Sequence, residues 1–330
     1  MSTFERVGAL LVNTGSPAAP EPAAVKSYLA EFLMDENVRP MAAVPWWLIL
    51  HCFILPKRKV RSAAKYAEIW GAEGSPLIVG ARHLASRTEA ELRRRYDGSA
   101  PLVRAAMSYG EPNVRTALAE LRDAGCSRII VLPLYPQSAK STTGTVVARV
   151  RAALASLSWS PVLDVVDSYG NEAGYLDAIA GKLRGVGLDP ARDRVIFSFH
   201  SVPQPDVEAG DTYPAQVDAS CTAIADRLGL ARDRLSVSFQ SPFEDSRTWH
   251  GPFTVNRLAD VAAATEGRLF LICPGFSIDC LETLYDVEHE FRPRAEAAFA
   301  GEGHEFVYVP CLNADDAAVR LMAGLIDARL

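Results

Sequence analysis

An apolar run with almost no polar break, Arg128-Ile129-Ile130-Val131-Leu132-Pro133-Leu134, indicates the fold class. A strand with one face in solvent alternates apolar and polar residues, whereas a strand buried on both faces is almost continuously apolar. Runs of this second kind recur along the chain, between stretches with helical character. The predicted strands are 7–12, 101–108, 128–134, 161–166, 193–199, 234–239 and 268–273, and the predicted helices include 22–34, 114–124, 145–157 and 215–228. Such alternation is typical of α/β proteins with helices on both faces of a parallel sheet.

The series of strands and helices runs twice, once before about residue 160 and once after it. A length of 330 residues also corresponds to two domains at roughly 150 residues each. We therefore predict two similar Rossmann-like domains, 1–160 and 161–330, with a ligand cleft between them at the carboxyl ends of the strands. The last helix is expected to pack back on the first domain.

The composition excludes several classes of protein. With 49% hydrophobic and 22% charged residues, the chain is typical of a globular protein rather than a disordered or fibrous one. The net charge of −6 and the absence of a basic block argue against a nucleic-acid partner. The six cysteines form no CxxC pair, which argues against a closed zinc or iron–sulfur site. The N-terminal residues have no cleavage-site pattern, so we expect a cytoplasmic protein with reduced thiols.

The longest apolar stretch, 44–55, contains Trp46 and Trp47 and is followed by the basic run Lys57-Arg58-Lys59. A dozen helical residues span roughly 18 Å, too little for a hydrocarbon core of about 30 Å. Two interpretations remain open. The stretch is either a buried core helix, or an apolar lip (about 43–56) that covers a flat hydrophobic ligand or touches a membrane surface.

Polar residues follow two of the predicted strands in the first half. The segment Asn13-Thr14-Gly15-Ser16-Pro17 has one glycine and lacks the phosphate-binding glycine patterns, which favours a plain turn over a nucleotide site. After the strand 128–134, the hydroxyl residues Ser141 and Thr142 stand at a predicted helix start. They either cap that helix or hold a carboxylate at its N-terminus.

In the second half, His200 directly follows the strand 193–199. From its position alone, a packing role and a functional role are equally supported. A helix is predicted from Glu282, and spacing four then places Glu282, Asp286 and Glu290 on one acidic stripe. A solvated helix face is the common explanation of such a stripe. The alternative is that it handles a divalent metal or protons opposite a histidine.

These motifs together resemble those of the ferrochelatases, enzymes that insert ferrous iron into a porphyrin. The resemblance runs nearly end to end, from 10–17 to 312–314. The segments that carry it include Met107-Ser108-Tyr109-Gly110, Ser198-Phe199-His200, Gly210-Asp211-Thr212-Tyr213-Pro214, Phe239-Gln240-Ser241 and Asp279-Cys280-Leu281-Glu282-Thr283-Leu284. The form Leu132-Pro133-Leu134-Tyr135-Pro136-Gln137 is similar to that of the proteobacterial-type branch.

The resemblance implies the two-domain chelatase fold and a lyase that inserts Fe(II) into protoporphyrin IX, releasing two protons and forming protohaem in the last step of haem biosynthesis. By position, His200 corresponds to the family's active-site histidine and Glu282 to its partner glutamate. Both become candidate catalytic and metal-contacting residues, with Asp286 and Glu290 along an acidic proton and metal path. Iron is then a substrate, with no tightly bound cofactor and no iron–sulfur cluster expected. The candidate porphyrin contacts are Asn13, Tyr109, Tyr135, Ser141, Thr142, Tyr213, Trp46 and Trp47.

The sequence departs from the family pattern at several positions. The usual His-Gly-Ile-Pro is His200-Ser201-Val202-Pro203, the usual Phe-Gln-Ser-Arg ends in Pro242, and a Trp-Leu-x-Pro segment contains His250. These changes concern how the porphyrin edge and propionates are held. Coproporphyrin III or another divalent metal therefore remains an alternative, and a catalytically impaired porphyrin- or haem-binding protein is the alternative of a different class. A monomer, a homodimer and a peripheral contact with the inner membrane also remain open.

Overall fold

The computed structural model describes residues 6–96, 98–299 and 303–330, which contain two four-stranded parallel sheets. The first sheet has the strand order β2-β1-β3-β4, and the second has the order β6-β5-β7-β8. The strands are β1 (Val7–Gly15), β2 (Leu102–Tyr109), β3 (Arg128–Pro133), β4 (Val162–Val165), β5 (Arg194–His200), β6 (Leu235–Gln240), β7 (Arg268–Ile272) and β8 (Glu305–Val309). The α/β class predicted from the continuous apolar runs is confirmed.

Helices follow almost every strand, as parallel pairing requires, because each crossover must return to the starting edge of the sheet. The α-helices are α1 (Pro22–Met34), α2 (Ala43–Ile49), α3 (Leu55–Ile69), α4 (Pro76–Arg95), α5 (Val114–Asp123), α6 (Thr145–Ser156), α7 (Ala173–Gly185), α8 (Gln204–Glu208), α9 (Tyr213–Leu228), α10 (Thr254–Ala263), α11 (Leu281–Asp286), α12 (Arg292–Ala298) and α13 (Asp316–Asp327). Segments with π-helical hydrogen bonding are Leu50–Ile54, Lys140–Gly144 and Val287–Phe291.

The chain divides into two compact units. Unit 1 comprises 1–135, 140–167 and 313–330, and unit 2 comprises 136–139 and 168–312. The sequence placed the division near residue 160, ahead of β4, but β4 pairs with β3 and so belongs to the first sheet. Helix α13 belongs to unit 1, where Arg95 of α4 forms an ion pair with Asp327.

Each unit is built around a strand that is covered on both faces. In β1, Ala9, Leu10, Leu11 and Val12 are all fully buried. Since successive strand residues point to opposite faces, four consecutive buried residues require cover on both sides. On one side Leu10 and Val12 pack in a cluster with residues of α5 and α6. The residues 195–199 of β5 are likewise fully buried, so both units match the prediction from their apolar runs.

The apolar stretch 44–55 combines both interpretations that the sequence left open. Trp46 and Leu50 are buried, and the indole N–H of Trp46 donates to the Leu33 carbonyl oxygen at 2.6 Å. Val44 and Phe53 are 75% and 71% exposed. One side of the stretch is therefore core, and the other is apolar surface. Within the described ranges, no helix has the length and apolar character needed to cross a membrane.

Candidate active site

His200 is the last residue of β5 and lies in register with Gln240 at the end of β6. Its ring nitrogen Nδ1 is 2.6 Å from the Ser201 carbonyl oxygen. A carbonyl oxygen only accepts hydrogen bonds, so Nδ1 carries the proton and the neutral ring has its lone pair on Nε2. The Tyr213 hydroxyl donates to the His200 carbonyl oxygen at 3.1 Å and fixes the backbone at the same point. His200 thus presents Nε2 as a base or a metal ligand.

Aromatic rings border the half-buried His200 side chain. The Phe243 ring meets it edge-on with centroids 5.9 Å apart, and the Phe276 ring lies at 6.4 Å. These two rings give the imidazole apolar neighbours. They also supply a surface of the kind that a flat aromatic ligand contacts favourably.

Two departures from the family pattern interact with each other. Ser201, which stands where the family usually has glycine, is 1% exposed, and its hydroxyl donates to the His250 carbonyl oxygen at 2.7 Å. The His250 backbone N–H in turn donates to the Val202 carbonyl oxygen at 2.9 Å. The added hydroxyl is therefore satisfied, and the chain beside His200 is connected to the segment that contains His250 without a buried orphan group.

Glu282 is the second residue of α11, and a local capping arrangement explains why the helix begins there. The Cys280 backbone N–H donates to the Thr283 hydroxyl at 2.9 Å, and the Cys280 side chain accepts from the Thr283 backbone. A carboxylate in the first turn is favoured by the partial positive charge of the helix N-terminus. Burial raises the pKa of the Cys280 thiol well above its usual value, and the adjacent Glu282 carboxylate, which shares a hydrogen bond with that thiol, adds to the shift.

The end of β6 connects this helix to the strand that carries His200. The Gln240 side-chain amide donates from Nε2 to the Glu282 carbonyl oxygen at 3.0 Å. The Ser241 hydroxyl donates to the Asp286 carboxylate at 3.2 Å. Because Gln240 is also the register partner of His200, the ends of β5 and β6 lie next to α11, the helix that carries Glu282 and Asp286.

The acidic helix is not a regular α-helix along its whole length. It is α-helical to Asp286 and continues as the π-helical segment Val287–Phe291. The α-helical spacing that predicted one stripe does not hold beyond Asp286, since a π segment accommodates an extra residue per turn. Glu282 and Asp286 are half-buried, whereas Glu290 is exposed. The sequence carried no signal for this segment.

Metal ligands in this part of the molecule are restricted to a few groups. Among the described residues, no three His, Cys, Asp or Glu side chains form a group that could hold a metal ion. Burial raises the pKa of the Cys273 and Cys311 thiols well above the usual value, so both stay protonated near neutral pH, the wrong state for a thiolate ligand. The donors at the end of β5 and the start of α11 are His200 Nε2 and the Glu282 carboxylate.

Three of the predicted porphyrin contacts lie near strand ends in unit 1. Asn13 is 5% exposed, and its side-chain oxygen accepts from the Thr14 N–H at 2.7 Å. The hydroxyls of Thr14 and Tyr135 are 2.5 Å apart, so the structure connects Asn13 and Tyr135 through Thr14. Tyr109 is 2% exposed, with the Arg149 guanidinium 4.9 Å from its ring centre.

The remaining predicted contacts are distributed over both units. Ser141 and Thr142 lie half-buried in the π-helical segment that precedes α6. Tyr213 is 6% exposed and supports the His200 backbone, as described above. Trp46 is 6% exposed, whereas Trp47 is 48% exposed and stacks on the ring of His51 in the π-helical segment that follows α2. Sequence reasoning did not single out Gln240 as a site residue, although a polar residue that ends an apolar strand is a usable signal.

Comparison with known proteins identifies the family. The family model described as ferrochelatase matches residues 6–330. The chain belongs to the ferrochelatase family. The ferrochelatase of Azoarcus sp. is 43% identical over 310 residues, covering 93% of this chain and 83% of the relative. That of Edwardsiella ictaluri is 40% identical over 325 residues, covering 98% of both. The resemblance read from the motifs is confirmed, as is the enzyme class, a porphyrin metal chelatase among the lyases.

Solved structures give the same fold at much lower sequence similarity. SirB from Bacillus subtilis with Fe3+ has a TM-score of 0.59 at 10% identity, covering 98% of this chain and 94% of that one. The sirohydrochlorin chelatase SirB in complex with cobalt has a TM-score of 0.54 at 12% identity, with the same coverage. Similarity at this level of identity shows the chelatase fold alone.

Proposed function

We propose that this enzyme inserts Fe(II) into protoporphyrin IX, forming protohaem and releasing two protons, and that His200 and Glu282 carry the reaction. Family membership supports the reaction. The observation that supports the choice of these residues is the Nδ1 hydrogen bond of His200, which leaves the ring lone pair on Nε2, at a strand end whose neighbour Gln240 bonds to the Glu282 backbone. Porphyrin and ferrous iron are the substrates, and no electron is transferred because the iron enters and stays as Fe(II).

His200 acts as the first proton acceptor. Each of two pyrrole N–H groups must lose its proton as the nitrogen lone pair forms a bond to iron. A neutral imidazole held by a hydrogen bond at Nδ1 accepts a proton at Nε2, and the carbonyl of Ser201 stabilises the resulting cation. The Phe243 and Phe276 rings keep the imidazole aimed in one direction during this transfer.

Glu282 and Asp286 act on the metal and on the second proton. Carboxylate oxygens and imidazole nitrogens are both suitable ligands for Fe(II), so these groups replace water as the hydrated ion is stripped. A negative charge near the porphyrin nitrogens also favours the incoming cation and can take up the proton that it displaces. Glu290, which is exposed, is the outermost group of this acidic path.

The porphyrin contacts proposed for unit 1 are neutral or apolar. Asn13 and Tyr135 offer hydrogen-bonding groups, and the exposed side of α2, including Trp47, offers an apolar surface for the macrocycle. The same exposed apolar residues, followed by a basic run, are the part of the chain best suited to a peripheral membrane contact in the cytoplasm.

The test is an anaerobic insertion assay with purified protein, Fe(II) and either protoporphyrin IX or coproporphyrin III, followed through the porphyrin absorption bands. We expect turnover of protoporphyrin IX. Faster turnover of coproporphyrin III would contradict the proposed substrate but still support metal insertion as the reaction. Porphyrin binding without insertion by either substrate would contradict the proposed reaction and favour a binding protein.

A further inference from the structure

A row of buried polar side chains lies beneath the candidate active site. Ser238, Thr254, Ser198 and Gln240 are each between 0% and 2% exposed. They come from β6, the first turn of α10, β5 and the end of β6, in that order. Polar groups are expensive to bury, so a connected set of them in the core of unit 2 calls for a structural explanation.

Hydrogen bonds join these four side chains in series. The Ser238 and Thr254 hydroxyls are 2.9 Å apart, and the Thr254 and Ser198 hydroxyls are 2.7 Å apart. Ser198 then bonds to Gln240 Oε1, and Gln240 Nε2 bonds to the Glu282 carbonyl oxygen at 3.0 Å. The series therefore runs from the interior of unit 2 to the backbone of the residue that carries the proposed catalytic carboxylate.

The donor and acceptor of every bond in the series follow from the bond at its Glu282 end. The Glu282 carbonyl oxygen only accepts, so the amide must present Nε2 to it and Oε1 to the other side. There the Cys273 thiol donates to Oε1 at 3.5 Å, and Ser198 also donates. Since Ser198 has used its only proton, Thr254 donates to Ser198, and Ser238 donates to Thr254. The Gln240 amide is thus held in one orientation.

The position of Gln240 relates the two proposed catalytic residues to each other. It is the register partner of His200, and its backbone carbonyl oxygen accepts from the Ser201 N–H at 2.9 Å. Its side chain extends in the other direction to Glu282. Helix α11 has only six α-helical residues before the π segment, so it has few internal bonds with which to fix its own position. The Gln240 side chain supplies a hydrogen bond that holds the start of α11 against the end of β6.

We propose that Gln240 is a positioning residue for metal insertion, because its oriented amide sets the place of Glu282 relative to His200. This inference rests on the function proposed above. Displacement of a reacting group by about 1 Å is enough to lower a rate roughly 100-fold. The effect is expected in kcat, since both ends of the Gln240 amide are bonded within the protein, to Ser198 and to the Glu282 backbone.

The test replaces Gln240 by methionine, which has a similar length and no hydrogen-bonding amide. We expect Gln240→Met to lower kcat by about 10-fold to 100-fold, with KM for the porphyrin changed by less than about twofold. The matched control is Gln137→Met, the same change at a glutamine that is 1% exposed in unit 2 and bonds to Ser220. We expect the control to match Gln240→Met in thermal stability and the unaltered enzyme in kcat.

A merely structural role for Gln240 predicts equal effects of the two methionine variants, and that result would overturn the proposal. If Gln240→Met does not fold, Ser198→Ala decides, since it removes one oxygen and, with it, one of the two hydrogen bonds that Gln240 Oε1 accepts. A severalfold drop in kcat at constant KM supports the proposal, and an unchanged kcat contradicts it. Absence of insertion by the unaltered enzyme would instead overturn the proposed function, so the two failures are distinguishable.

Discussion

The two sheets have the same strand order, but the side chains at equivalent strand ends differ in kind. The first strand of each half, β1 or β5, lies second in its sheet, and the next strand of the chain forms the edge beside it. In unit 1 these two strands carry Asn13 and Tyr109 near their ends, and in unit 2 they carry His200 and Gln240. The same topology thus presents an amide and a phenol in one unit, and an imidazole and an amide in the other.

The difference is between side chains suited to binding a ligand and side chains suited to proton transfer or metal binding. An amide does not ionise near neutral pH, and burial raises the pKa of Tyr109 far above its already high usual value. His200 and Glu282, by contrast, carry an imidazole and a carboxylate, which are both suitable ligands for divalent cations. The fold provides equivalent positions in both units, and the residues at those positions differ in the chemistry they are able to support. We expect variants in unit 2 to change kcat and variants in unit 1 to change binding.

The largest effect is expected from His200→Ala. Loss of the base at the end of β5 should lower kcat by about 10³-fold, within the range of about 10² to 10⁴ for a general base. Asn13→Ala, near the equivalent strand end of unit 1, should raise KM for the porphyrin and leave kcat within about threefold. The readout is initial rate against porphyrin concentration for both variants.

His83→Ala, an exposed histidine of α4, is the control for the loss of an imidazole as such. A His200→Ala variant with the kcat of the unaltered enzyme would remove His200 from the mechanism. An Asn13→Ala variant with a kcat as low as that of His200→Ala would remove the distinction between the units.

The second effect tests two adjacent tryptophans within unit 1. Trp46 is buried and bonded to the Leu33 carbonyl oxygen, so Trp46→Ser should lower the free energy of unfolding by about 3–5 kcal/mol. Trp47 is 48% exposed, so Trp47→Ser should leave that free energy nearly unchanged and weaken porphyrin binding severalfold. Denaturant unfolding and porphyrin fluorescence titration separate the two. Equal destabilisation by both changes would contradict the division of this stretch into core and surface.

The sequence was sufficient where one pattern had one structural solution. Continuous apolar runs predicted seven of the strands, and the helix over 22–34 matches α1. Strand β8 was not predicted, although residues 306–309 form a short apolar run and the edge strand β4, which is no longer, was predicted. In the stretch 44–55 almost every residue is apolar, so the sequence carries no information about which side faces the core.

The candidate site shows the same limit. His200 and Glu282 could be named because a histidine ends an apolar strand and an acidic residue starts a helix in a recognised motif. The connection between them could not be predicted, since the side-chain amide of Gln240 bonds to a residue 42 positions away in the sequence. The π-helical segment after Asp286 has no compositional signal either, and only the hydrogen bonds of the folded helix reveal it.

A third prediction isolates the charge of Glu282 from its backbone contact. Glu282→Gln keeps the carbonyl oxygen that Gln240 binds and removes the negative charge, so kcat should fall about 100-fold while thermal stability is retained. The control is Glu288→Gln on the same helix, where hydrogen bonding from Arg292 holds the pKa of an exposed carboxyl below its usual value. That variant should keep full activity. A Glu282→Gln enzyme with unchanged kcat would show that the carboxylate is not needed.

The smallest effect concerns Ser241, which follows Gln240 in the left-handed region at φ 55° and donates its hydroxyl to Asp286 at 3.2 Å. Ser241→Ala removes the hydroxyl and keeps the backbone strain, whereas Ser241→Gly removes both, because glycine adopts this conformation without cost. Both variants should lower kcat about threefold to tenfold if the hydroxyl holds Asp286 in place. They should differ in stability, with the glycine variant about 1 kcal/mol more stable than the alanine variant. If kcat instead follows stability, so that the glycine variant is as active as the unaltered enzyme, the backbone turn and not the hydroxyl positions Asp286.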